Sequence, residues 1–282
     1  MEKQKTIAID IGHWYKDRWG AGRIEPERVA NIHESELNII VGHEIYRHLK
    51  RHGFLVELNG TEEDLKTMAE RIEARDFTKK EFENQAWRVG MPMGDDEPGI
   101  PKGFYSKLKC KIDNDEIDLV AGIAVHFNGE GSPGFEVFTQ TGNKITESAK
   151  LSQAIVNEME AIGRPIRRDG TVAGFPDVKS SVGWDWEDYI NQVPAPFAFC
   201  EFGFMANDSD WLGDNEGNPG FDTPEKQRDL GTAAARGIIT YLYEQGIIEK
   251  GWQEEHPISV FHTFPTQEQY EKIPNDSLTE DV

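Results

Sequence analysis

Close to its N-terminus the chain carries a run that is apolar at almost every position, Thr6-Ile7-Ala8-Ile9-Asp10-Ile11, and the run stops at Gly12. A strand reads this way when both of its faces are covered, which is the situation inside a parallel sheet. A parallel neighbour needs a crossover, and the following residues supply one. Between His33 and His52, Leu37, Ile40, Val41, Ile45 and Leu49 fall on one helical face, and Gly53 occupies the position just past the helix end. Phe54-Leu55-Val56-Glu57-Leu58 then reads as the second strand. Strand, helix and strand within about fifty residues make the βαβ unit of an α/β fold.

The later chain fits the same plan. Strand signals recur from Asp118 to His126, from Gly134 to Phe138 and, after Pro194-Ala195-Pro196, from Phe197 to Glu201. A helix is expected from Ile145 to Ile162, and another after Thr223 and Pro224, an N-cap and first-turn pair, with Leu230, Ala233, Ala234, Gly237, Ile238 and Tyr241 on one face. Residues 59–105 interrupt the pattern. Thr61 and Thr78 are helix starts, the second with Glu81 as a capping-box partner, and the Pro- and Gly-rich run from Met91 to Gly99 must be a loop. The expectation is one α/β domain over residues 1–250, a twisted and mostly parallel sheet flanked by helices, with 59–105 as a helical insertion. Residues 251–282 form an acidic tail without periodicity.

Charge narrows the function. Fifty-one acidic against 30 basic residues give a net charge of −21, which repels phosphate and excludes a nucleic-acid partner. Much of the excess is local: Met205 to Glu225 holds six acids and no Lys or Arg, and Gly251 to Val282 holds seven acids and one Lys. Two cysteines, Cys110 and Cys200, are too few for a disulfide scaffold, and Cys200 reads as an ordinary buried thiol. No run reaches the roughly 18 apolar residues of a membrane span, and the apolar stretch near the N-terminus is too short and too acidic for an export signal, so synthesis in a cytoplasm without membrane insertion is expected.

Four ionisable residues stand where strands or helices end: His13, Glu34, His126 and Glu201. In open α/β sheets such ends converge on one crevice. Two imidazoles and a carboxylate are the ligands of a catalytic zinc with one open position, and a further carboxylate can act as general base. Each has a plainer reading. His13 fits a loop, Glu34 the third helical position after an Asn31 cap, His126 a satisfied core imidazole, and Glu201 a partner for any lysine. Of the remaining histidines, His33, His43, His48 and His52 read as the solvent side of one helix, with His33 a bystander to the site, and His256 and His262 lie in the tail. Asp214, Glu216, Asn218, Asp222 and Glu225 have the spacing of a calcium loop, but Pro219 replaces the glycine of its sharp turn, so a solvated lead-in to the next helix is the expectation.

In this order the residues resemble a family: the zinc-dependent N-acetylmuramoyl-L-alanine amidases of bacterial autolysins and phage lysins, amidase type 3. Asp10-Ile11-Gly12-His13 resembles its D-x-G-H, Glu34-Ser35-Glu36-Leu37-Asn38 its E-x-x-L-N, His126-Phe127-Asn128 its H-x-N, and Glu201-Phe202-Gly203-Phe204-Met205-Ala206-Asn207 its E-x-G-F-x-x-N. The resemblance spans roughly Thr6 to Gln245, and the chain departs from it at Trp14-Tyr15 and in the long connection before the third strand. It implies a Zn²⁺ cofactor on His13, Glu34 and His126, with Glu201 as the catalytic base. Asp10, Asn128 and Asn207 are then candidates for orienting ligands or substrate. The implied activity is hydrolysis of the amide between N-acetylmuramic acid and L-alanine of peptidoglycan. With neither an export signal nor a recognisable wall-binding module, the expected setting is a monomeric phage lysin, made in the cytoplasm and reaching the bacterial cell wall through holin-type release. A zinc hydrolase of another acyl-amino acid amide and a non-catalytic murein-binding phage structural protein are the alternatives. The 59–105 insertion then reads as a wall-recognition surface, a lid or inert bulk.

Overall fold

The computed structural model of the chain describes residues 3–13, 22–23, 32–74, 102–129, 131–142, 145–180, 190–214 and 217–249. In chain order these form β1 (Lys5–Ile11), β2 (Gly22–Arg23), β3 (Ile32–His33), α1 (Glu34–Arg51), β4 (Leu55–Leu58), α2 (Glu62–Ala74), α3 (Lys102–Asp113), β5 (Asp118–Asn128), β6 (Glu136–Thr139), α4 (Ile145–Ala161), β7 (Lys179–Ser180), β8 (Phe197–Phe204), α5 (Asp208–Leu212) and α6 (Pro224–Glu244). The main sheet runs β4-β1-β5-β8-β6-β7, and β2 and β3 pair as a separate small ribbon. β1 lies parallel to both β4 and β5, with Ile7 opposite Val56 and Ile9 opposite Ile123. β8 is parallel to β5, whereas β6 is antiparallel to β8 and places Glu136 opposite Glu201.

Alternation along the strands sends side chains to two different cores. One face carries Ile7, Ile9, Ile11, Ile123, Val125, Ala198 and Cys200, and α1, α4 and α6 cover it. Small residues let those helices approach closely. A Cβ on Gly237 would stand 2.5 Å from the Ile155 Cα of α4, and one on Gly231 would stand 2.7 Å from the Val41 carbonyl of α1. The other face carries Ala8, Ala124, Phe197 and Phe199 beneath Phe104, Tyr105 and Leu108 of α3. No described helix is long and apolar enough to cross a membrane.

Packing corrects the histidine assignment. His48 and His52 are buried, not on a solvent side, and α6 packs against α1. His48 Nε2 lies 3.0 Å from Glu44 Oε1 and 3.1 Å from Thr232 Oγ1 of α6, while His52 Nδ1 sits 2.8 Å from the His48 carbonyl. Where it is described, the 59–105 segment holds the helix expected to start at Thr61. Thr61 caps α2 by accepting the Asp64 N–H at 3.2 Å, and Leu65, Met68 and Ala69 of α2 are buried in the larger core. α3, for which no expectation was drawn, begins inside the segment and continues to Asp113. The helix expected from Thr78, the loop from Met91 to Gly99, Trp14-Tyr15 and the tail 251–282 lie outside the described residues.

Candidate metal centre

β1 ends by turning sharply at Gly12 and His13. His13 adopts a left-handed backbone conformation, φ 56°, which a non-glycine residue holds at a cost and which is found at constrained sites. Glu34 opens α1 as its first helical residue, with His33 as the N-cap. The alternative of a third-position cap residue is thereby removed. That place belongs to Glu36, whose Oε2 accepts the His33 N–H at 2.7 Å, and Asn31 lies outside the described residues. Glu34 Oε1 stands 3.2 Å from His13 Nε2 and 3.0 Å from His126 Nδ1, and it accepts the Phe127 N–H at 3.1 Å. One helical turn on, Asn38 donates to the Gly12 carbonyl at 3.0 Å and ties the helix start to the β1 turn, while Leu37 between them is buried in the core.

His126 is held on both sides. The Phe199 ring of β8 stacks on it with centroids 4.5 Å apart and 20° between planes. The Gly12 backbone presses from the β1 side, where a Cβ would come within 2.3 Å of the imidazole. The ligand atoms of His13, Glu34 and His126 all lie within 4.8 Å of one another. Tetrahedral zinc with bonds of about 2.0–2.2 Å needs ligand atoms about 3.3–3.6 Å apart, close to the separations at Glu34 Oε1. Two imidazoles and one carboxylate also leave a coordination position open, so the donor set fits a catalytic zinc.

Glu201 lies opposite His126 in the β5–β8 ladder. It is buried, and no described residue hydrogen-bonds its Oε2. Burial, and then the negative charges of Glu34 and Glu136, push its proton affinity well above that of an ordinary carboxylate. Burial also opposes charge on Glu34, but the imidazoles of His126 and His13 outweigh it and hold that carboxyl below its usual range. The two carboxylates are thus driven in opposite directions.

The remaining candidates separate by what they touch. Asp10 is buried behind the triad, where it accepts from Asn59 Nδ2 at 2.6 Å and from the Tyr105 hydroxyl of α3 at 2.6 Å. Asn128 donates to Glu136. Asn207 caps α5 instead, accepting the N–H groups of Ser209 and Asp210 and donating to the Gly131 carbonyl at 3.0 Å. Beneath that loop the fully buried pair Arg164 and Asp210, 2.7 Å apart, binds the Gly134 and Phe204 N–H groups through Asp210 and the Phe202 carbonyl through Arg164. Gly203 accommodates the guanidinium, since a Cβ there would stand 2.2 Å from Arg164 Nη2. Several oxygens of the described part of the 214–225 loop already have partners. Asn218 Oδ1 accepts from Arg164 and from the Gly220 N–H, Asp214 Oδ1 accepts the Asn218 N–H, and Asp222 pairs with Lys226. Glu136 and Tyr105 carry no signal of their own in the sequence; only the strand register and the packing of α3 bring them to the site.

An α/β sheet with a convergent His-Glu-His set and a buried carboxylate beside it has the make-up of a metal-dependent hydrolase. A family model described as N-acetylmuramoyl-L-alanine amidase matches residues 7–240. The chain belongs to the N-acetylmuramoyl-L-alanine amidase family. Among solved structures it is similar to the CwlD amidase of Clostridioides difficile in complex with the GerS lipoprotein, at 18% identity and a TM-score of 0.47 over 86% of this chain and 98% of that one. It is also similar to the N-acetylmuramyl-L-alanine amidase Ami1 of Mycobacterium smegmatis, at 15% identity and a TM-score of 0.49 over 84% and 96%. A third is an N-acetylmuramoyl-L-alanine amidase of Clostridium difficile 630, at 14% identity and a TM-score of 0.48 over 86% and 98%. No curated protein matches the chain.

Proposed function

We propose that the protein hydrolyses the amide bond between N-acetylmuramic acid and L-alanine of peptidoglycan, with zinc held by His13, Glu34 and His126 and Glu201 as general base. The observation that carries this reading is the buried Glu201 Oε2 without a described partner, opposite His126. A protein that kept a metal only for stability would gain nothing from that carboxylate, whose burial is costly. Family membership supports the bond assignment.

Zinc, when bound, supplies a Lewis acid that polarises a carbonyl and brings the acidity of water to a pKa near 7. Glu201 takes the proton of the attacking water and returns it to the leaving nitrogen, so that the alanine amine departs without a negative charge. Phe199 and Gly12 keep the His126 ring in one plane, and Glu34 holds the backbone of Phe127 as well as the imidazoles.

In this proposal residues 1–250 are the catalytic domain, 59–105 are an insertion within it and 251–282 are an acidic tail. The enzyme acts as a monomer on peptidoglycan. Mass spectrometry of digested peptidoglycan tests the bond: free stem peptides beginning with L-alanine are expected, and cleavage of small acyl-amino acids with none in murein would overturn the assignment. Glu201→Ala is expected to abolish release while zinc stays at about one per chain. Loss of the metal would make Glu201 a ligand instead. The setting we propose is a phage lysin, made in the cytoplasm and freed by a holin-type lesion. Lysis of an expressing host that begins without a holin would refute that setting.

A further inference from the structure

We propose that Asn128 binds the stem peptide as a hydrogen-bond acceptor, taking a substrate amide N–H on its Oδ1, and that Glu136 is the positioning residue that turns the amide this way. The inference rests on the amidase reading. Asn128 follows His126 by two residues on β5, so the pleat puts both side chains on the face that carries Glu201. Its backbone carbonyl accepts the Met205 N–H at 2.8 Å, which fixes its position at the strand end.

The orientation of the amide follows from its neighbour. Asn128 Nδ2 lies 3.1 Å from Glu136 Oε2, and Glu136 Oε1 lies 2.6 Å from Lys179 Nζ and 3.0 Å from Arg167 Nε. A carboxylate gripped by two cations accepts hydrogen bonds, so it is the NH₂ end of the amide that faces it. The carbonyl end must then point away from Glu136. No described residue donates to Oδ1, and Asn128 is half-buried, so the oxygen is accessible beside the metal centre. A peptide substrate presents N–H donors and carbonyl acceptors. An outward carbonyl selects the former, and it excludes Asn128 as a donor to the oxyanion of the reaction.

The test uses the full chain with Glu201→Gln, which removes turnover, and a synthetic N-acetylmuramoyl dipeptide. Two ester analogues each replace one amide N–H by oxygen, at the scissile bond and at the next one. Calorimetry reads the dissociation constants. One of the two esters is expected to bind about fivefold more weakly than the amide, the effect of one neutral hydrogen bond. Adding Asn128→Ala should make amide and ester bind alike. Adding Glu136→Gln, which lets the Asn128 amide turn either way, should shrink the difference while leaving zinc bound. If the difference persists undiminished in both variants, Asn128 is not the acceptor and Glu136 does not position it. If the parent with Glu201 intact releases no stem peptides, the amidase reading fails instead, so the two failures are distinguishable.

Discussion

Gly12→Ala is expected to weaken the proposed zinc site while leaving the fold in place. Gly12 has no positive φ, so alanine meets no backbone penalty there, and the whole effect is contact. The new Cβ would stand 2.3 Å from His126 Cε1, 2.5 Å from Nε2 and 2.6 Å from Nδ1, against an ordinary contact of 3.4 Å or more. The ring must therefore give way by about 1 Å. It cannot do so by sliding toward β8, because the Phe199 ring lies on that side at 4.5 Å. Metal–ligand bonds tolerate displacements of only about 0.2 Å, so the loss of zinc affinity should be on the order of 100-fold. Overpacking of this kind costs about 1–3 kcal/mol of stability, which leaves the domain folded. Zinc affinity is measured by competition with a coloured chelator, and folding by urea titration of the metal-free protein. A His126→Ala background supplies the control, since a smaller side chain at 126 removes the clash and Gly12→Ala should then cost almost nothing further in stability. Wild-type zinc affinity in Gly12→Ala, or the same stability cost with and without His126, would refute the reasoning.

Two further outcomes concern stability. Asp210→Ala leaves the Arg164 guanidinium buried without its carboxylate and two backbone N–H groups without an acceptor, and should cost about 3–5 kcal/mol in urea unfolding; a loss under about 1 kcal/mol would show that water or Asn218 replaces the pair. Burial, reinforced by Arg47, lowers the pKa of His43 from 6.5 to about 4. The folded state therefore binds fewer protons than the unfolded chain between those values, and its stability should fall as pH drops from 6.5 toward 4, by about 2–3 kcal/mol in all. His43→Leu should flatten that part of the profile, and an unchanged slope would show that other groups produce it.

The first strand, the helix after it and the Thr223–Pro224 start of α6 were legible in the sequence because each rests on local chemistry: a doubly buried strand, an apolar stripe, a cap. His13 and Glu34 were legible for a related reason, since one follows the first strand and the other opens α1, whereas His126 and Glu201 lie inside strands that run on to Asn128 and Phe204 and not at the strand ends expected of them. What escaped depends on distant partners. α3 has Phe104, Leu108 and Ile112 at four-residue spacing, but lysines surround them and Gly103 sits in the first turn, and the helix is stabilised by the Phe197–Phe199 face of a strand some ninety residues later. His48 and His52 looked solvent-facing because α1 shows one strong apolar stripe. The covering helix α6 supplies Thr232 and small residues there instead of an apolar match. Glu136 matters only through the antiparallel register that sets it against Glu201, and no pattern within β6 announces that register.

The strand order has a consequence for how the enzyme comes into being. β5 and β6 are neighbours in the chain, yet β8, made some sixty residues later, lies between them in the sheet. A growing chain therefore holds His13, Glu34 and His126 well before it holds Glu201, and it must keep a strand-wide slot open on β5 until β8 arrives. Inserting a strand between two earlier ones is a non-local step, slow relative to helix formation, and it exposes two unpaired edges while it waits. Glu201, the base of the proposed mechanism, is carried by the strand that closes the slot. On that mechanism a chain lacking β8 in place is inert toward the amide, and activity appears only together with the finished sheet.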